Sequence, residues 1–153
     1  LNSRRAEVLI EPHIQVANII RQSGIETIPM GYILVDGDRQ SAVERVSGCT
    51  PIAHQAVADV VSHAVAGQLL GKQLIYIEAG SGAKTPVSID TIRAVRQAID
   101  LPLIVGGGVT SEEQMLAAFS AGANIVVIGN HFEQHPEDLP RFLQTKHSYV
   151  HNN

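Results

Sequence analysis

The sequence predicts an α/β fold, a phosphate-binding (βα)8 TIM barrel of which the chain carries the C-terminal part, about strands 5–8. Three observations lead there. Near-continuous apolar runs such as "LIYIE" and "LPLIV" alternate with amphipathic stretches, the pattern of parallel strands covered on both sides in a βα-repeat fold. Glycines follow three successive strands, as "GSG", "GGG" and "GN", at the C-terminal ends where barrel active sites are built. The 153 residues hold only four clear strands, whereas a closed barrel takes about 200 residues or more. Residues 1–153 are therefore expected to be the C-terminal part of one barrel domain whose N-terminal strands are missing. The opening Leu1, in place of Met, fits a chain cut from something longer.

The elements follow in order. "EPHIQVANIIRQSG" (11–24) starts with an acid and a proline, spaces its apolar residues helically and ends on Gly24 as C-cap. "YILV", inside 25–37, reads as a strand closed by turn residues. In 50–71, Thr50 as N-cap, Pro51 at the first helical position and Gly71 as terminator predict a helix. "QLIYIEAGSG" (73–82) is a strand running into glycines, and Ser88 caps a helix over 88–99. "LPLIVGGG" is the next strand, followed by a helix over 110–122 with Thr110 and Ser111 placed to cap it. "NIVVIGN" (124–130) is the last strand and 136–146 a short final helix.

Composition excludes several classes. At 44% hydrophobic and 17% charged the chain is an ordinary globular sequence, not a disordered one. A net charge of −4, no basic run and no Trp argue against a nucleic-acid partner. The apolar runs are too short to span a bilayer. No charged-then-apolar leader opens the chain, and the single Cys49 has no partner for an internal disulfide. Both fit a cytoplasmic protein.

The glycines point to phosphate. "GGGVTS" lacks the third glycine of a dinucleotide fingerprint, and "GSGAKT" lacks the upstream glycine of a P-loop. Glycines at strand ends do let main-chain N–H groups converge on an anion, and the following helix adds the positive end of its dipole. Any one such motif is better explained by a tight turn; three at one end of a sheet reverse that and favour a phosphate site.

At this point "YIEAGSGAKTPV", "LIVGGGVTSEEQ" and "AGANIVVIGNHFEQHPE" resemble the geranylgeranylglyceryl phosphate synthase family, with its bacterial heptaprenyl relatives. "LNSRR" and "ETIPMGYILVDGD" match the same family's upstream segments, so the resemblance covers nearly the whole chain. It implies a transferase of phospholipid biosynthesis. Such an enzyme joins sn-glycerol 1-phosphate to a polyprenyl diphosphate, geranylgeranyl in the parent case, and releases pyrophosphate with Mg2+. It also implies that glycerol phosphate is held by Tyr76, Ile77, Glu78, Ala79, Gly80, Ser81 and Gly82, by Gly106, Gly107 and Gly108, and by Gly129 and Asn130. The family's magnesium-placing Asp and hydroxyl residue belong to its first strands, so no metal ligand is assigned here. The lipid substrate implies peripheral membrane contact.

Glu78 is the expected catalytic group, orienting or deprotonating the glycerol hydroxyl, because it ends a core strand at the catalytic face. Tyr76 shares its strand face, and Tyr32 is a further candidate lining residue. His131 and His135 have a metal-binding spacing but lack the helix it requires. His54 and His63 read as ordinary helix residues, and Cys49 as unreactive. Unpaired sheet edges predict a homo-oligomer. The alternatives are another phosphate-binding barrel enzyme, of isomerase or aldolase type, and an inactive phosphate-binding fragment.

Overall fold

The computed structural model describes residue 3 and residues 5–152. In chain order the first elements are α1 (Ala6–Leu9), α2 (Glu11–Ser23), β1 (Met30–Leu34), α3 (Ala42–Ser47), α4 (Val57–Leu69) and β2 (Leu74–Glu78). Then come α5 (Ile89–Ala98), β3 (Leu103–Gly106), α6 (Glu112–Ser120), β4 (Ile125–Val127) and α7 (Asn130–Gln134). A 3-10 turn (Pro136–Asp138) leads into α8 (Leu139–Asn152).

The strands form one parallel sheet in the order β1-β2-β3-β4. A doubly wound sheet needs a reversal of strand order, and this sheet has none. Right-handed crossovers between sequential neighbours all fall on one side. Ile33, Ile75, Ile77, Leu103 and Val105 accordingly pack with Val60 and Ala64 of α4, Ile92 and Val95 of α5 and Ala118 of α6.

The expected covering on both sides therefore holds for one face only. On the other, Tyr32, Tyr76 and Ile104 are half-buried, and Ile125 and Val127 are 49% and 40% exposed. That face is closed only at its C-terminal end, where Leu34 and Glu78 are buried. Helix α2 forms where its pattern places it and ends on Gly24, but none of its residues is buried.

Serine caps start two helices as expected. Ser88 Oγ accepts from the Thr91 N–H at 3.1 Å, and Ser111 Oγ from the Gln114 N–H at 3.3 Å. Thr110 stays outside the helix, its N–H donating to Gln114 Oε1. The helix expected over 50–71 begins only at Val57, so Thr50 is not its N-cap and Pro51 is not its first residue. The cause is local. Ile52 pairs in parallel with Val35, donating its N–H to Leu34 O at 2.9 Å and accepting from Asp36 N–H at 2.8 Å. A backbone committed to the sheet cannot also enter the first helical turn. Helix α3, capped by Ser41, was not foreseen, and α8 starts later and runs longer than 136–146.

Candidate functional site

Register builds the site. Tyr32 lies opposite Tyr76, and Glu78 is flanked by Leu34 on β1 and Gly106 on β3. Strand periodicity puts Tyr76 and Glu78 on the open face. There the Tyr76 hydroxyl donates a short hydrogen bond to Glu78 Oε2. Glu78 Oε1 accepts from the Gly80 N–H at 2.9 Å. The buried carboxylate is thus held by a donor on each oxygen. Burial first, then the hydrogen bond to Glu78 and its charge, push the Tyr76 phenol above the ordinary phenol range. Tyr32 meets Tyr76 edge-on, ring centroids 5.2 Å apart, and burial raises its phenol as well.

Two glycines make room for this pair. A Cβ on Gly106 would lie 2.5 Å from the Tyr76 hydroxyl and 2.8 Å from Glu78 Oε2. Gly107 has φ +85°, and a Cβ there would lie 2.7 Å from Glu78 Oε1 and 2.8 Å from the Ala79 nitrogen. The first position needs an absent side chain and the second needs a left-handed backbone too.

Above the pair the strand ends enclose a cleft of about 110 Å³. Tyr76, Glu78, Ser81 and Gly82 line it from β2 and its loop, Gly107, Gly108 and Thr110 from the β3 loop, and Gly129 and Asn130 from the end of β4. Ala83 and Val127 complete the wall. Larger hollows occur against α8 and between α5 and α6, with mostly apolar linings, and beside the β1 loop, where Asp36, Asp38, Arg39 and Glu44 are among the lining residues.

The structure brings together eight of the twelve expected site residues: Tyr76, Glu78, Ser81, Gly82, Gly107, Gly108, Gly129 and Asn130. Ile77 and Ala79 instead point into the helix-covered core. Gly80 and Gly106 support the pair from beside it and do not line the cleft. Tyr32 supports Tyr76 in the same way.

Other candidates settle into structural roles. His131 does lie on a helix, α7, but its Nε2 meets Asp138 Oδ2 at 2.9 Å. Asp138 in turn accepts from Arg141. Among the described residues, no group of three or more His, Cys, Asp or Glu could hold a metal ion. The described residues thus offer no such ligand set for the Mg2+ that the family resemblance implies. His54 lies ahead of α4 rather than on it, its Nε2 3.0 Å from Pro86 O. Cys49 is buried, and that burial raises its thiol pKa. Among the described residues, no helix is long and apolar enough to cross a membrane.

A sequentially ordered parallel sheet with a glycine-walled cleft over a buried carboxylate defines a βα-repeat protein with its site at the C-terminal strand ends. Residues 1–146 match the PcrB family, and the chain belongs to it. It is 44% identical over 141 residues to the geranylgeranylglyceryl phosphate synthase of Spirosoma linguale, covering 92% of this chain and 57% of that protein. The synthase of Zunongwangia profunda is 47% identical over 133 residues, covering 87% and 57%. The solved (S)-3-O-geranylgeranylglyceryl phosphate synthase of Thermoplasma acidophilum, in complex with its substrate sn-glycerol-1-phosphate, matches with a TM-score of 0.80 at 35% identity. That match covers 86% of this chain and 52% of the solved one. The chain thus spans little more than half the length of these relatives.

Proposed function

We propose that this chain is the C-terminal part of a TIM-barrel prenyltransferase that joins sn-glycerol 1-phosphate to a polyprenyl diphosphate, geranylgeranyl in the named relatives. The observation that carries this is the convergence of the Tyr76–Gly82, Gly106–Gly108 and Gly129–Asn130 segments around the Tyr76–Glu78 pair. The kinship with synthases, one of them solved with sn-glycerol-1-phosphate, supports it. One-sided helices on an unreversed sheet support the barrel. In this reading the enzyme works in the cytoplasm, touches the membrane through its lipid substrate, and forms a homo-oligomer.

In this reading the glycine loops hold the phosphate by main-chain N–H groups. The glycerol hydroxyl points back to Glu78, each of whose oxygens keeps a lone pair free beside its present donor. The ether bond forms between that hydroxyl oxygen and the allylic carbon while the bond from that carbon to the diphosphate breaks. Pyrophosphate leaves with the bonding pair, and Glu78 takes the hydroxyl proton. Tyr76 stays protonated and fixes the carboxylate's direction. Positioning of this kind supplies several orders of magnitude in rate.

Calorimetric titration tests the binding half, with the 3-phosphate enantiomer as control. Selective binding of sn-glycerol 1-phosphate is expected, and equal binding of both would leave only a generic phosphate site. Glu78→Gln in the full-length enzyme tests the chemistry. A loss of about 10²-fold or more in turnover with little change in affinity is expected of a proton acceptor. Unchanged turnover reduces Glu78 to a positioning group.

A further inference from the structure

The cleft has a charge mismatch. A phosphate monoester carries roughly −1.5 to −2 at pH 7. Among the described residues, the cleft's lining holds the Glu78 carboxylate and neither Lys nor Arg. Main-chain dipoles offset part of that charge, on the order of half a unit at a helix N-terminus. A cation within reach would complete the site.

Arg39 is placed to be that cation. Its Nη1 lies 3.4 Å from Gly82 O, on the cleft's lip. A Cβ on Gly82 would lie 2.8 Å from Arg39 Nη1 and 3.6 Å from Asn130 Nδ2, so guanidinium and amide both border this one glycine. The segment carrying Arg39 is clamped to the β2 loop. Gly37 O accepts from the N–H groups of Lys84 and Thr85, at 2.9 and 3.3 Å, and Thr85 Oγ1 donates to Asp38 Oδ2. Asp36 Oδ1 accepts from the Asp38 N–H at 2.9 Å. Asp36, Asp38 and Glu44 line a neighbouring hollow with Arg39, yet among the described residues Arg39 makes no ion pair with any of them.

Resting on the function proposed above, we propose that Arg39 is a substrate-binding residue whose guanidinium closes over the phosphate held by the glycine loops. Nothing in the carbonyl contact with Gly82 rewards a full charge as a phosphate does, since a guanidinium fork matches phosphate oxygens in pairs. The clamp fixes the Arg39 segment against the β2 loop, whose Ser81 and Gly82 line the cleft.

The test is calorimetric titration of sn-glycerol 1-phosphate into the full-length enzyme, unaltered and as Arg39→Gln and Arg39→Lys, each at low and high salt, with circular dichroism to confirm the fold. Arg39→Gln is expected to weaken binding about tenfold, equivalent to about 1.4 kcal/mol, and to flatten its salt dependence. Arg39→Lys is expected to keep the salt dependence and recover part of the affinity, because charge remains and the fork is lost. A merely structural role would not move the salt dependence. If Arg39→Gln binds as the unaltered enzyme does, with the same salt dependence, the role of Arg39 is overturned and the phosphate site stands. If the unaltered full-length enzyme binds neither glycerol phosphate enantiomer, the function proposed above falls, and the role of Arg39 with it.

Discussion

The two faces of the sheet are built from the same kinds of apolar residue and meet different surroundings. Ile77 and Leu103, under the helices, are wholly buried, whereas Ile125 and Val127 on the opposite face are about half exposed. Nothing in "NIVVIGN" marks which residue belongs to which face, and in "LIYIE" the alternation that pairs Tyr76 with Glu78 does not say which face the helices cover. The difference comes from topology: every crossover in an unreversed strand order lands its helix on the same side. The open face is finished only at its C-terminal end, and there the buried group is a carboxylate with two donors.

The sharpest way to break this contrast is by truncation. Ile77→Ala is expected to cost about 2–5 kcal/mol, because the helices over it cannot collapse into the gap. Ile125→Ala, already half in water, is expected to cost well under half as much. Urea unfolding of both variants measures the gap between them. Equal costs would mean that the open face is covered in solution.

Next in size is the C-terminal end of the open face. Gly107→Ala forces an L residue into a left-handed backbone with its Cβ against the Ala79 nitrogen and Glu78 Oε1. The strain is roughly 1–3 kcal/mol. We expect lost stability and at least tenfold weaker binding of sn-glycerol 1-phosphate, read by unfolding and calorimetry. Unimpaired binding would separate Gly107 from the site.

The smallest effect concerns pH. Two of the three tyrosines, Tyr32 and Tyr76, sit on the open face with phenols raised above the ordinary value of about 10. The folded chain keeps protons there that the unfolded chain loses. This contribution to stability is therefore full below about pH 10 and lost as pH rises further. In Tyr149→Phe the phenolate absorbance should appear together with unfolding. Phenolate forming near pH 10 in a folded chain would show that this face is wetter than its geometry implies.

Much of this was legible before any coordinates. Ser88 and Ser111 announced their helices because a hydroxyl ahead of an apolar-periodic run has a definite partner, the N–H three residues on. Period-two alternation put Tyr76 beside Glu78. Thr50 and Pro51 imitated the same start signal, and only the pairing of Ile52 with Val35 shows why it fails. A one-residue bridge leaves no periodicity to read. Helix α3, of six residues, is likewise too short for a periodic signal, although Ser41 offered its cap. Gly106 beneath the tyrosine depends on cross-strand register, which one strand's sequence does not carry. Arg39 meets Gly82 across 43 positions of chain, a contact visible only once the two loops are folded together.

The bare α-carbon of Gly106 has a consequence for how the sequence can change with time. The volume where a methyl would go is already taken by the Tyr76 hydroxyl and the Glu78 carboxylate. Any larger residue at 106 is accepted only after one of those two side chains has shrunk or moved. Either prior change dismantles the hydrogen-bonded pair. The three positions therefore form an epistatic lock: single steps from it lead downhill in function, and drift among descendants is expected to pass around this triplet rather than through it.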